Sequence, residues 1–146
     1  MRHPTHPALV HLPIACWVLV LPCDLATFWF GSIASTLASL LLAIGCSFAP
    51  LAMIAGLLDL ARIVERQALR IAYLHMLLML ITSLIFTLRL VVGLEQWQPR
   101  PPDPQSLSLD IFGLICLLLG AWLGGELVYQ HGIGTAQQRD KQETHA

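Results

Sequence analysis

The sequence predicts an all-α integral membrane protein, a bundle of four transmembrane helices that run alternately up and down. The chain of 146 residues is 56% hydrophobic and 12% charged, whereas a soluble domain carries roughly 25% charged residues. Its mean hydropathy is +0.70. Four apolar segments, separated by polar or proline-rich breaks, each approach the roughly 20 residues that a membrane span requires.

The first half of the chain contains two of the predicted helices. Residues 8–30 form the first apolar segment, which is interrupted by Asp24. Residues 33–61 form the second, which carries no charged residue before Asp59. The two residues between these segments, Gly-Ser, allow only a tight turn, so we expect the two helices to be antiparallel neighbours.

The second half of the chain contains the other two predicted helices, at residues 69–93 and 107–129. The segment 96–106 between them is rich in proline, which blocks a continuous helix. Residues 1–134 are therefore expected to form one membrane domain. Residues 135–146 are polar and are expected to form a disordered tail.

The basic residues indicate the orientation of the bundle. We call the membrane face at which the first helix begins side A and the opposite face side B. Antiparallel helices place six basic residues on side A and two on side B; those on side A are Arg2, Arg62, Arg66, Arg70, Arg139 and Lys141, and those on side B are Arg89 and Arg100. Because short cytoplasmic loops are enriched in Lys and Arg, side A is predicted to be cytoplasmic, with both termini inside.

Ionisable side chains from all four helices fall near side A. Such groups are costly at membrane depth and usually functional. At about 1.5 Å per residue they lie within roughly 10 Å of one depth; they are His6, His11, Asp59, His75, Glu126 and His131. The sequence therefore predicts a functional site in this layer.

A b-type haem is the first chemistry that the layer could support. Two axial histidines at similar depth on facing helices would hold the iron. His11 and His75 are the leading ligand candidates, and His131 and His6 are the alternates.

A transition metal ion is the second chemistry, with His11, His75, Asp59 and Glu126 as ligands. A proton relay without a cofactor is the third. In either redox case Asp59, Glu126 and Tyr129 could orient the ligands or carry protons.

A second group of ionisable residues lies near side B. It consists of Asp24, Arg89 and Asp110, one from each of three helices. The guanidinium fork of Arg89 can pair with either carboxylate. We interpret this group as a structural ion cluster, with a proton entry or exit point as the alternative.

Several strings resemble a known family. The opening residues 6–13, HPALVHLP, resemble the motif His-Pro-x-x-Val-His-Phe-Pro, with Leu12 in place of the usual Phe. Residues 55–59, AGLLD, resemble Thr-Gly-Leu-Leu-Asp, and His75 matches a lone histidine of the third helix. Residues 124–134, GGELVYQHGIG, resemble the closing motif Gly-Gly-x-Leu-Val-Tyr-x-His-Gly-x-Gly.

The family that these motifs resemble consists of bacterial predicted membrane proteins that carry a four-helix domain of unknown function. The resemblance implies a multi-pass protein of the bacterial inner membrane. Fusion of some relatives to Rieske-type iron–sulfur or cytochrome c modules implies electron transfer, by analogy only.

A small redox or electron-transfer module with a b-type haem or metal site near the cytoplasmic face is therefore the leading hypothesis. A non-enzymatic membrane subunit that assembles or anchors a redox partner is the alternative, and a proton-coupled transporter is the third. The expected partners are the lipid bilayer, a redox protein and further copies of the chain. A net charge of −1 and the lack of a basic stripe argue against nucleic acid.

Overall fold

Four long helices make up most of the protein. The computed structural model describes residues 5–61, 63–95, 98–99 and 101–133, and the side chains of residues 9–61, 63–94 and 101–133. The helices are α1 (Thr5–Phe30), α2 (Ser32–Leu60), α3 (Arg66–Val92) and α4 (Pro104–Tyr129). Each is long and apolar enough to cross a membrane. The predicted fold class, an all-α bundle of four membrane helices, is confirmed.

Three helices begin three residues earlier than hydropathy alone indicates, at residues 5, 66 and 104 rather than 8, 69 and 107. Their first turns are polar or contain proline, which hides them from an apolar pattern. Proline is tolerated in a first helical turn because its missing N–H would have no partner there. In α4 the turn is capped by the Asp103 side chain, whose Oδ1 accepts a hydrogen bond of 2.7 Å from the Ser106 backbone N–H.

The connections differ in length and form. Gly31 alone links α1 to α2, in a left-handed conformation with φ of 59° that glycine adopts without steric cost. The proline-rich segment before α4 contains a minimal antiparallel pair of strands, β1 (Leu94–Glu95) and β2 (Gln98–Pro99). The tail predicted at 135–146 lies outside the described residues.

The four helices pack as two antiparallel hairpins. α1 packs most extensively against α2, and α3 against α4, whereas the α2–α3 and α1–α4 interfaces are smaller. Each helix therefore has two neighbours, and α1 and α3 face each other across the bundle. This arrangement matters for the site, because His11 and His75 come from these two diagonal helices.

An aromatic stack fills the centre of the bundle. The rings of Trp17 and Phe86 have centroids 5.0 Å apart and planes inclined by 16°, and both side chains are fully buried. Gly45 on α2 lets the indole approach, because a Cβ at that position would overlap it. Trp17 lies between His11 and Asp24 on α1, so the stack separates the two groups of ionisable residues.

Candidate functional site

A cavity of about 420 Å³ lies between the four helices in the side-A half of the bundle. Its size is within the 300–1,000 Å³ typical of ligand pockets. Most of its wall is apolar, and many of the wall residues are small; these are Ala49, Ala52, Gly56, Ala72, Ala121, Gly124 and Gly125. These small residues lie on α2, α3 and α4, where they let helix backbones border the cavity directly.

Each helix contributes to the wall with the same helical spacing. The positions are i, i+3, i+4 and i+7, which form one face of an α-helix. They are residues 10, 13, 14 and 17 on α1; 49, 52, 53 and 56 on α2; 72, 75, 76 and 79 on α3; and 121, 124, 125 and 128 on α4. The cavity therefore lies where the inward faces of the four helices meet.

His75 is a polar side chain of this wall that contacts the backbone of another helix. It is half-buried, and its Nδ1 lies 2.8 Å from the backbone carbonyl oxygen of Gly120 on α4. Since a carbonyl only accepts, Nδ1 carries the proton and donates, which leaves the lone pair on Nε2. A histidine held in this way through one nitrogen is oriented to bind a metal through the other.

Gly124 makes room for His75. A Cβ at this position would lie 3.0 Å from the imidazole Cε1 and 3.3 Å from Nδ1, whereas a Cβ at the adjacent Gly125 would meet nothing closer than 3.9 Å. The absence of a side chain at Gly124 therefore allows the imidazole to lie against α4.

His11 and Asp59 complete the group of ionisable residues in the cavity wall. His11 lies on α1 and is exposed, and Asp59 lies on α2, next to its last residue, and is half-buried. Together with His75 they bring two imidazoles and one carboxylate to a single cavity from three helices.

The other predicted side-A residues occupy different places. Tyr129 lines the cavity but is 89% exposed, so it lies at the mouth. Glu126 is half-buried and is not part of the wall. His131 also lies outside the wall, where its Nδ1 is 3.3 Å from Oε2 of Glu65. The side chain of His6 lies outside the described residues. The predicted layer is thus divided between a cavity group and a separate His131–Glu65 contact.

No three His, Cys, Asp or Glu side chains form a group that could hold a metal ion, among the residues that the structure describes. A bare metal ion usually requires three or four protein ligands. A haem iron requires only two, because its macrocycle supplies four nitrogens. The His and Asp residues of the cavity wall are His11, Asp59 and His75.

The structure also brings together Asp24, Arg89 and Asp110, which we call the side-B cluster. These residues are 1%, 3% and 1% exposed. Arg89 donates through Nη2 to Oδ2 of Asp24 and through Nε to Oδ2 of Asp110, the latter at 3.3 Å. α1, α3 and α4 are thereby joined by charged contacts inside the bundle.

Several wall residues carry no polar signal in the sequence. Trp17, Met76 and Met79 line the cavity, and a Cβ at Gly120 would lie 2.8 Å from the sulfur of Met79. The i, i+3, i+4, i+7 spacing around His75 is the signal that could identify Met76 and Met79. In a membrane helix this signal is weak, because the lipid-facing positions are apolar as well.

Comparison with known proteins agrees with the membrane fold. A family model described as a predicted membrane protein, DUF2231, matches residues 2–137. No curated protein and no solved structure gives a significant match. The matched range includes all four helices and every residue of the cavity wall. The chain therefore belongs to the DUF2231 family of predicted membrane proteins.

Proposed function

We propose that this chain is a small membrane redox protein that holds a b-type haem in the side-A cavity, with His11 and His75 as axial ligands. The observation that carries the proposal is the 2.8 Å contact between Nδ1 of His75 and the Gly120 carbonyl. It directs the lone pair of Nε2 away from that contact, as in histidines that ligate metals.

The arrangement of the helices supports His11 and His75 as the two residues that would hold the cofactor. His11 and His75 line the same cavity from diagonal helices, and helical bundles build cofactor sites from inward side chains on facing helices. When bound, the haem would supply one-electron oxidation and reduction.

The rest of the cavity wall suits a flat, largely apolar ligand. Its glycines and alanines leave space between the helices, and Met76 and Met79 offer soft, adaptable contacts. Asp59 stands on the wall at the side-A end of α2, where its carboxylate could orient an imidazole or hold a proton. Tyr129 could supply a phenol at the mouth.

Absorption spectra of the protein purified in detergent would test the proposal, with haemin added and bound metals measured. We expect a Soret band and a reduced-minus-oxidised difference spectrum from the wild-type protein. Both should be lost in His75→Ala and strongly altered in His11→Ala. His131→Ala is the matched control, because this histidine lies outside the cavity wall, and it should keep the spectrum.

Two outcomes would count against haem. If the protein contains a stoichiometric metal but shows no Soret band, the site binds a bare metal ion and not haem. The predicted ligands of that ion are His11, His75, Asp59 and Glu126. The absence of both a Soret band and a stoichiometric metal would overturn the redox proposal itself.

We also propose that the protein lies in the bacterial inner membrane with both termini in the cytoplasm. Arg66 and Arg70 are exposed at the side-A end of α3. Arg89, one of the two basic residues assigned to side B, is buried and forms an ion pair within the bundle. This strengthens the excess of loop cations on side A.

Reporter fusions would test the orientation. Green fluorescent protein fused after Ala146 should fluoresce, and alkaline phosphatase inserted at Gly31 should be active. The reverse pattern, an active phosphatase at the C-terminus and an inactive one at Gly31, would contradict the proposed orientation.

A further inference from the structure

We propose that the side-B cluster is a proton-binding site within the membrane, where one exchangeable proton is held between the carboxyl groups of Asp24 and Asp110. This inference does not depend on what the side-A cavity binds, since the aromatic stack of Trp17 and Phe86 lies between the two sites.

The first argument is the count of charges. The cluster contains two carboxyl groups and one guanidinium, and all three residues are at least 97% buried. If both carboxyl groups were ionised, the cluster would carry one uncompensated negative charge in an apolar interior. Such a charge is strongly unfavourable there. One bound proton makes the cluster neutral.

The second argument concerns the groups that surround the cluster. α1 contributes Asp24 and the neighbouring Cys23, α3 contributes Arg89, and α4 contributes Asp110. α2 brings no charged side chain to this half of the bundle. Of the side chains that the structure describes, only Arg66 and Arg70 are other Lys or Arg residues, and they lie at the opposite end. None of these described groups supplies a second positive charge.

The third argument is an oxygen atom without a hydrogen-bond donor. Oδ1 of Asp110 is buried and lies 3.1 Å from Nε of Arg89, but it receives no hydrogen bond in the described structure. The carboxyl groups of Asp24 and Asp110 both contact the same guanidinium, that of Arg89. A proton on Asp110 would turn an unsatisfied acceptor into a donor towards Asp24, so that both carboxyl groups are satisfied.

The fourth argument distinguishes the cluster from a structural clamp. An ion pair that joins two helices requires one carboxylate for one guanidinium, and Asp24 alone provides it through the contact with Nη2. The second carboxyl group is additional. The guanidinium of Arg89 also lies against Gly93 at the end of α3, where a Cβ would overlap it.

The cluster is also close enough to side B to exchange protons with water. Asp24 lies six residues before the end of α1 and Asp110 six residues after the start of α4. At about 1.5 Å per residue, each is about 9 Å from the end of its helix.

Infrared spectroscopy would test the proposal on the full-length protein in lipid nanodiscs. We expect a protonated-carboxyl C=O band at neutral pH that shifts to lower frequency in D₂O, since the proton is exchangeable. The band should shift further when the protein is labelled with ¹³C-aspartate, and it should be lost in Asp110→Asn. Asp103→Asn is the control, because that carboxylate caps the start of α4 and is not part of the side-B cluster, and it should keep the band.

A second variant keeps the test decisive if Asp110→Asn does not fold. Asp24→Asn also leaves one carboxylate for Arg89, and it should likewise remove the band. If the wild-type protein has no ¹³C-aspartate-sensitive band at neutral pH, or if the band persists in both variants, the proposal is wrong and the cluster is a fully ionised clamp.

Discussion

Gly124 shows how a residue without a side chain can determine the position of a histidine. The imidazole of His75 lies where a Cβ of residue 124 would come within 3.0 Å of Cε1. The same imidazole is fixed by the Gly120 carbonyl one turn away. Two backbone positions of α4 thus help to orient the candidate ligand.

A methyl group at Gly124 should therefore disturb the site more than one at its neighbour. Gly124→Ala would push the imidazole away from α4 and weaken its bond to Gly120. Overpacking of this kind costs about 1–3 kcal/mol. We expect a corresponding loss of haem affinity, about 5- to 150-fold, in a titration followed by absorbance. Gly125→Ala should bind as the wild-type protein does, and equal losses in both variants would contradict this assignment.

The helices illustrate how far an element can be predicted from composition. The existence and order of the helices follow from four apolar segments. The tight turn at Gly31 follows from the fact that only two residues separate the first two segments. The first turns of α1, α3 and α4 do not, because Thr5, Arg66 and Pro104 carry no apolar signal. The strand pair β1–β2 is too short to leave a pattern.

Only part of the candidate site can be predicted from the sequence, for a related reason. His11, Asp59 and His75 stand out because ionisable residues are rare in membrane helices, and the alternation of the helices places them at one depth. The cavity between them does not stand out. Its wall is formed by apolar faces, and in a membrane the outer faces of the same helices are equally apolar. Glu126 and His131 share the depth of the cavity but lie on other faces.

The N-cap of α4 gives a prediction at the scale of one element. Asp103→Ala would remove the acceptor for the Ser106 N–H, a loss that usually costs about 0.5–2 kcal/mol. Thermal unfolding in detergent should show the decrease in stability. Asp103→Asn retains a capping oxygen and should remain close to the wild-type protein; if both substitutions are equally destabilising, the effect arises from charge and not from capping.

The side-B cluster forms charged contacts between the two hairpins of the molecule. Asp24 belongs to the α1–α2 hairpin, whereas Arg89 and Asp110 belong to the α3–α4 hairpin. The link therefore crosses the boundary at which helix packing is least extensive.

Replacing Arg89 should lower the stability of the fold far more than replacing one of the two carboxyl groups. Arg89→Met would leave two buried carboxyl groups without a positive partner, and breaking a buried pair in this way costs about 3–5 kcal/mol. Asp110→Asn keeps the pair of Arg89 with Asp24 and should lose much less. Denaturation in mixed micelles would measure both. Comparable stability of the Arg89→Met variant and the wild-type protein would show that the cluster does not stabilise the fold.

The unequal packing of the helices has a consequence for biogenesis. Each hairpin makes most of its helix contacts internally, so each can enter the bilayer as a pair before the two pairs meet. The side-A cavity takes its wall from both pairs and does not exist until they dock. A ligand as large as the cavity would therefore enter while the two hairpins dock, as they close around it. The supply of this ligand would then limit maturation of the protein, whereas insertion of the helices into the membrane would not depend on it.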